Sequence, residues 1–108
     1  MDLLYTSGQI TAAGTRDVLA AGFPEIADWD GQDLLILHAA LALVASDRDE
    51  RVWTVNLFDE GEGRQVAHVV DTDHVEAAAE VRCRDGGVVV DMRADAGLAM
   101  LPEGWDGF

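Results

Sequence analysis

Residues 33–46, DLLILHAALALVAS, constrain the fold of this chain more than any other stretch. This segment is apolar from its second residue to its thirteenth, except at His38. Four of its apolar residues recur at the spacing of one helix face, and other apolar residues fill the flank, which predicts a helix that is apolar on most sides. Fully burying one Leu contributes about 1.5 to 3 kcal/mol, so we expect this helix to form the core. The four residues of the first face are Leu34, Leu37, Leu41 and Val44.

Two shorter stretches precede this helix. Residues 11–21, TAAGTRDVLAA, are typical of a helix that Thr11 or Thr15 caps, because a hydroxyl can accept a hydrogen bond from a free amide of the first turn. Gly22 is suited to the position where that helix ends. Nearer the N-terminus, residues 3–5, LLY, predict either a short strand or an apolar strap.

After residue 46 the hydrophobic pattern changes from helical to alternating, which is typical of strands with one buried face. Strands are predicted at residues 51–58 and 65–71, with an acidic, glycine-containing loop between them. We expect one set of side chains in each strand to face the core. These sets are Trp53, Val55 and Leu57 in the first strand, and Val66, His68 and Val70 in the second.

Residues 75–84, VEAAAEVRCR, contain good helix formers, but their apolar and polar side chains alternate. The residues that follow favour a strand. Asp85-Gly86 is a favoured two-residue hairpin turn, and apolar and polar side chains alternate again in residues 88–92 on its far side. On one face the hairpin predicts the pairs Cys83 with Val88, Val81 with Val90, and Ala79 with Met92. On the other face it places Arg82 diagonal to Asp91, and Arg93 diagonal to Glu80.

Together these patterns predict a single acidic α+β domain over residues 1–108, in which a helical N-terminal half packs on a four-stranded antiparallel meander. A chain of 108 residues can bury enough apolar surface to fold without a metal or a disulfide. The apolar side chains of the tail, which include Leu98, Trp105 and Phe108, are expected to fold back over the core edge. The predicted elements are a long apolar helix at about 33–46 and strands at about 51–58, 65–71, 75–84 and 87–93.

The net charge of −14 is the second strong constraint, since 21 acidic residues face 7 basic residues, all of them Arg. Each phosphate contact requires a cation, so direct binding to nucleic acid is disfavoured, and an anionic membrane would repel the chain. A domain of this length is roughly 35 Å wide. B-DNA carries one charge per about 1.7 Å, so the net charge of the protein comes within about a factor of two of that of a duplex of equal length. The protein could therefore compete with DNA for a basic surface.

Catalysis and cofactor binding are not expected. Cys83 is the only cysteine, which indicates a reducing compartment such as the cytoplasm, and the first residues lack the features of a signal peptide. Ser7 and Ser46 lack the setting of an activated nucleophile, and Cys83 is predicted to face the core. The GEG sequence at residues 61–63 lies among acids that would repel phosphate. The apolar run of the main helix is too short to span a bilayer.

Two groups of residues leave metal binding open, although the prediction is that no metal is bound. The first group resembles the opening of a calcium loop, but its later positions lack the required acids, and helix capping explains the same carboxylates. The second group has transition-metal ligands near a hairpin, but its first histidine is predicted to face the core, away from the others. The first group is Asp28, Asp30 and Asp33; the second is His68, Asp71, Asp73 and His74. His38 is interpreted as a core histidine.

The leading hypothesis is a non-enzymatic acidic protein that occupies a basic, nucleic-acid-binding surface of a partner protein, possible partners being a nuclease or a nucleic-acid-binding complex. Inhibitors that imitate nucleic acid, such as anti-restriction and anti-CRISPR proteins, and immunity proteins that block nuclease toxins are small, acidic and free of cofactors. The alternative is a domain of a halophile or a high-GC bacterium, whose acidity is an adaptation to the solvent. The predicted contact residues lie at hairpin ends, and they are Asp59, Glu60, Glu62, Asp71 and Asp73.

Overall fold

The computed structural model describes residues 2–21, 31–71, 77–85, 87–93 and 98. These residues form two helices and one antiparallel sheet of five strands, so the predicted α+β class is confirmed. The strands follow one another across the sheet in chain order. The helices are α1 (Ala12–Ala21) and α2 (Gly31–Ala45); the strands are β1 (Asp2–Thr6), β2 (Trp53–Gly61), β3 (Arg64–Asp71), β4 (Ala79–Arg84) and β5 (Gly87–Met92).

The predicted count of four strands was wrong, because residues 2–6 form a fifth strand at the edge of the sheet. This strand pairs with β2, and its register shifts at a β-bulge between Leu3 and Tyr5. A five-residue strand with a bulge does not show regular alternation, so its strand character depends on a partner more than fifty residues away. The other bounds also differ: the main helix spans 31–45 instead of 33–46, and β4 begins at residue 79 instead of 75.

The core lies between α2 and one face of the sheet. Helix α2 contacts β2, β3, β4 and β5, and α1 packs against α2. Along α2 the buried side chains occupy most of the circumference, which explains why the helix shows no single polar face. The largest buried side chains of this core are Ile36, Leu37, Leu43 and Val44 from α2, and Trp53, Val55, Leu57, Val69 and Val81 from the sheet.

Local sequence features predicted two details correctly. The register of the β4–β5 hairpin pairs Cys83 with Val88, as expected, and Asp85 adopts the positive φ of 54° that a two-residue turn requires. The other two predicted pairs also occur. At the start of α1, the Thr11 hydroxyl oxygen accepts a hydrogen bond from the Gly14 amide at 3.3 Å, so Thr11 caps the helix.

The prediction that His68 faces the core was wrong. The residues of β3 that contact the core are Ala67 and Val69, which pair with Leu57 and Val55 of β2, so His68 lies on the opposite face of the sheet. Both alternating sets of β3 contain valines, and the alternation alone therefore does not decide which set is buried. The register with β2 decides it.

A buried carboxylate joins the end of α2 to the start of β2. Asp47 is fully buried, and one of its oxygens accepts hydrogen bonds from Trp53 Nε1 at 2.8 Å and from the Arg51 amide at 2.9 Å. The other oxygen accepts from the Asp49 amide at 3.1 Å and from Arg51 Nη2 at 3.3 Å. Arg51 also lies 4.6 Å from the centre of the Trp53 ring and pairs with Asp71 at 3.3 Å. The network ties the chain reversal after α2 to two strands of the sheet.

The hydrogen bonds around Asp47 decide its protonation state. Burial on its own raises the pKa of this carboxyl, but the hydrogen bonds from Trp53, from the amides of Asp49 and Arg51 and from the Arg51 guanidinium outweigh burial. The pKa of Asp47 therefore lies below its ordinary value of 3.8. The carboxylate form is stabilised by folding.

Replacing Asp47 with alanine is expected to lower the free energy of unfolding by about 3 kcal/mol, because it removes the acceptor of the buried Trp53 indole and of the part-buried amides of Asp49 and Arg51. Chemical denaturation of the purified chain measures the change. The matched control is Asp49→Ala, since the Asp49 side chain is exposed and should change stability by less than about 0.5 kcal/mol. Equal losses in the two variants would contradict the role of the buried carboxylate.

The lowered pKa of Asp47 also predicts a dependence of stability on pH. The contribution of this carboxylate is complete above the ordinary pKa of 3.8 and is lost as the pH falls through that value and then through the lower pKa of the folded state. Between about pH 5 and pH 2, the unfolding free energy should fall less steeply in Asp47→Asn than in Asp49→Asn. Denaturation curves across this range test the difference; parallel slopes would show that Asp47 contributes nothing to acid unfolding.

Candidate functional site

Among the described contact residues that the sequence predicted, the structure separates Asp71 from the other three. Asp59, Glu60 and Glu62 lie together at the β2–β3 hairpin, whereas Asp71 lies at the far end of β3. Successive hairpins of an antiparallel meander lie at opposite ends of the sheet, and the length of β3 separates the two positions by roughly 20 Å. Asp71 is also buried and paired with Arg51. Asp73 lies outside the described residues.

A tight turn presents the hairpin carboxylates. Glu62 and Gly63 have φ values of 57° and 73°, which suit a two-residue turn, and the Asp59 carboxylate accepts a hydrogen bond of 2.7 Å from the Gly61 amide. Glu62 pairs with Arg64 at 2.8 Å, but both side chains are more than 70% exposed, at 81% and 73%, so this pair is weak. Glu62 is therefore accessible at this turn, whereas Glu60 pairs with Arg82 and its side chain is 29% exposed, and Asp59 is half-buried.

Asp2 also belongs to this site, although the sequence did not predict it. Its register partner across β1 and β2 is Asp59, so the two aspartates lie directly opposite each other. Neither takes part in an ion pair among the residues that the structure describes. Only the pairing of β1 with β2 brings them together, and no local pattern could have indicated it. We call Asp2, Asp59, Glu60 and Glu62 the acidic hairpin end.

Most of the arginines form ion pairs with carboxylates of the same chain. All seven arginines belong to the described residues, and four of them pair with carboxylates. These pairs are Arg16 with Glu50, Arg51 with Asp47 and Asp71, Arg64 with Glu62, and Arg82 with Glu60 and Glu80. In contrast, residues 22–30, 72–76, 94–97 and 99–108 contain eight carboxylates and no basic residue. The chain therefore cannot neutralise its own acidic surplus.

A row of polar side chains crosses the sheet on the face that points away from α2. His68 Nε2 lies 3.5 Å from Glu80 Oε1, and the rings of His68 and Phe58 are 5.1 Å apart. The members of the row are paired from strand to strand: Thr6 with Asn56, Asn56 with His68, His68 with Glu80, and Glu80 with Asp91. Arg82 pairs with Glu80, so the acids of this face are partly balanced locally.

The described residues do not bring together either candidate metal group. Within them, no set of three or more potential ligands is close enough to hold a metal ion. His68 and Asp71 lie on opposite faces of β3, which prevents them from sharing a metal. Asp28, Asp30, Asp73 and His74 lie outside the described residues. His38 is half-buried in α2, and burial lowers its pKa, which favours the neutral imidazole.

A cleft of about 630 Å³ opens between β1, α1 and α2, next to the edge strand. Its walls are mainly apolar, and the large apolar side chains include Val18, which is 42% exposed. We call this cavity the β1–α1 cleft. Its lining residues are Tyr5, Ser7, Gln9, Ile10, Thr11, Gly14, Thr15, Val18, Leu37 and Leu41.

Comparison with protein-family models, with curated proteins and with solved structures found no match for this chain. Over the part of the chain that the structure describes, neither helix has the length and apolar character needed to cross a membrane. The function must therefore be argued from the surface and the cavities themselves.

The opposed aspartates predict a measurable local repulsion. Because like charges directly opposite each other destabilise a sheet, Asp2→Asn should raise the unfolding free energy by about 0.2 to 0.5 kcal/mol at low salt. The gain should fade above roughly 0.5 M salt, where charges are screened over a few ångströms. Denaturation at both salt concentrations measures it. Asp17→Asn, an exposed change with the same loss of charge, is the control, and an equal gain there would attribute the effect to net charge alone.

Proposed function

We propose that this chain is a non-enzymatic binding protein whose acidic hairpin end occupies a basic, nucleic-acid-binding surface of a partner protein. The observation that carries the proposal is the opposition of Asp2 and Asp59 across β1 and β2, beside Glu60 and Glu62. Like charges at directly opposed strand positions lower the stability of a sheet, so stability does not explain the pairing of Asp2 with Asp59. A cation from a partner would relieve the repulsion and would convert it into binding energy.

The distribution of the arginines supports the same proposal. At least four of the seven are engaged by carboxylates of the described residues, and the whole chain has 21 acidic residues against seven arginines. Positive charge on a partner would steer association and make it fast and dependent on salt. Asp71 is not part of the proposed contact, because its carboxylate is buried against Arg51. The role of Asp73 stays a prediction.

The proposed partner is a nuclease or another nucleic-acid-binding protein, and the proposed mode of action is inhibition by imitation of nucleic acid, as in anti-restriction, anti-CRISPR or immunity proteins. Proteins of this kind present a basic surface that binds phosphates, and the acidic hairpin end would occupy that surface. A cytoplasmic location belongs to the proposal, supported by the presence of a single cysteine, Cys83, in the sequence.

The test is capture of basic proteins from the source cell on the immobilised full chain, followed by affinity measurement with each purified partner. In the triple variant Asp2→Asn, Asp59→Asn, Glu62→Gln, the affinity should fall at least about tenfold, which corresponds to about 1.4 kcal/mol. Duplex DNA should compete with the chain for the partner, and raising the salt concentration should weaken binding.

The matched control is Asp49→Asn, Asp85→Asn, Asp91→Asn, which removes the same charge from exposed positions outside the acidic hairpin end and away from the β1–α1 cleft. Equal weakening in both triple variants, or a partner that binds DNA and this chain together, would contradict the proposal. Melting in dilute buffer and in molar potassium chloride separates the halophile alternative. A halophilic domain should unfold without salt, where its charges repel over longer distances, whereas the proposed inhibitor should stay folded.

A further inference from the structure

We infer that the β1–α1 cleft receives one bulky apolar side chain of an extended, basic segment of the partner protein. This inference rests on the proposed function and adds a second contact to it. The acidic hairpin end would then set charge complementarity, while the cleft would supply the buried anchor. In protein interfaces, a few large side chains in desolvated pockets contribute most of the binding energy.

The chemistry of the cleft walls selects an apolar occupant. The Ser7 hydroxyl donates to the Gly8 carbonyl at 2.7 Å and accepts from the Val55 amide at 2.9 Å. The Thr15 hydroxyl donates to the Thr11 carbonyl at 2.7 Å. Both hydroxyl groups therefore donate their hydrogen to a backbone carbonyl of the protein and have none left to donate to a ligand in the cleft. With Ile10, Val18, Leu37 and Leu41 as the large apolar walls, the cleft binds mainly by burial of apolar surface.

The size and exposure of the cleft fit a side-chain anchor. Its volume of about 630 Å³ lies within the range of binding pockets, and Val18 on its rim is 42% exposed. The adjoining strand adds exposed apolar surface at Leu3 and Leu4, which are 54% and 44% exposed. An apolar side chain in the cleft would therefore contact protein on several sides.

The charges beside the cleft select a basic segment. Asp2 begins the strand that lines the cleft, and Asp17 lies next to Val18 in α1; both are exposed and make no ion pair among the described residues. The neighbouring Arg16 is already engaged, since it donates to the Ala45 carbonyl at 3.0 Å and pairs with Glu50 at 3.2 Å. A second copy of this chain would bring its own charge of −14 to the same surface and be repelled.

The edge position of β1 selects an extended segment. Strand β1 is the first of the five strands, so its outer backbone groups can pair with an added strand. Because of the bulge in β1, Asp2 and Tyr5 face Asp59 and Leu57, which are two residues apart, or roughly 7 Å along a strand. The inferred segment therefore carries Arg or Lys two residues from a bulky apolar side chain, so that both side chains point to the same face.

Gly14 provides a way to fill the cleft without disturbing the fold. It lies in α1 and lines the cleft, and the nearest atom to an added Cβ would be Thr11 Oγ1 at 3.5 Å, an ordinary contact distance. Leucine is a better helix former than glycine, so Gly14→Leu should keep or raise stability while its side chain occupies the cleft. Ala13→Leu adds an exposed leucine to the same helix outside the lining residues, and it is the matched control.

The experiment is an NMR titration of the full chain with a synthetic peptide that carries Leu two positions from Arg. Two matched peptides replace Leu with Ser or Arg with Gln. Amide shifts are expected at Tyr5, Ser7 and Val18, with at least about tenfold weaker binding of the Ser peptide and of the Gly14→Leu variant. Ala13→Leu should bind like the unmodified chain.

Each other outcome overturns the inference. Equal binding of the Leu and Ser peptides would show that charge alone directs association, and the acidic hairpin end would then stand without the cleft. Equal binding of the Arg and Gln peptides would assign the cleft to uncharged apolar ligands. No shift at the cleft with any peptide would remove it as a contact. The proposed function itself fails only in the partner experiment with the acidic triple variants, so the two failures are distinguishable.

Discussion

The buried carboxylate of Asp47 is the interaction on which the rest of the structure depends. Helix α2 must reverse direction and enter the sheet within seven residues, and this carboxylate accepts hydrogen bonds from the connecting backbone and from the first residue of β2. Arg51 extends the network to Asp71 at the end of β3. The apolar face of the sheet is thereby held against α2, and the burial of apolar surface between them supplies most of the stabilisation.

The edge strand β1 contributes residues to both proposed contact regions, the acidic hairpin end and the β1–α1 cleft. Its first residue opposes Asp59 and creates the acidic hairpin end, and its later residues line the β1–α1 cleft. A carboxylate pair that opposes stability and an apolar cleft that is open to solvent are both costs for an isolated protein. We propose that a basic, extended partner relieves the repulsion and fills the cleft, so that both features contribute to one interface.

The acidic residues of the chain have different structural roles. Several carboxylates of the described residues serve the fold, as Asp47 and Asp71 do through Arg51, or form surface pairs of small energetic value. A net charge of −14 alone therefore does not define a binding surface. What distinguishes the acidic hairpin end is that strand register places Asp2 opposite Asp59, whereas Glu60 and Glu62 on the same hairpin pair with Arg82 and Arg64.

The sequence by itself determined the features that depend on neighbours in the chain. These are the Thr11 cap, the core-forming character of α2, the inward face of β2 and the register of the β4–β5 hairpin, which the turn at Asp85 specifies. Only the tertiary structure decided that residues 2–6 form a fifth strand, that Ala67 and Val69 instead of His68 face α2, and that Asp2 joins Asp59. The reason is physical: a strand obtains its hydrogen bonds and its buried face from partners distant in sequence, and local alternation does not encode which partners those are.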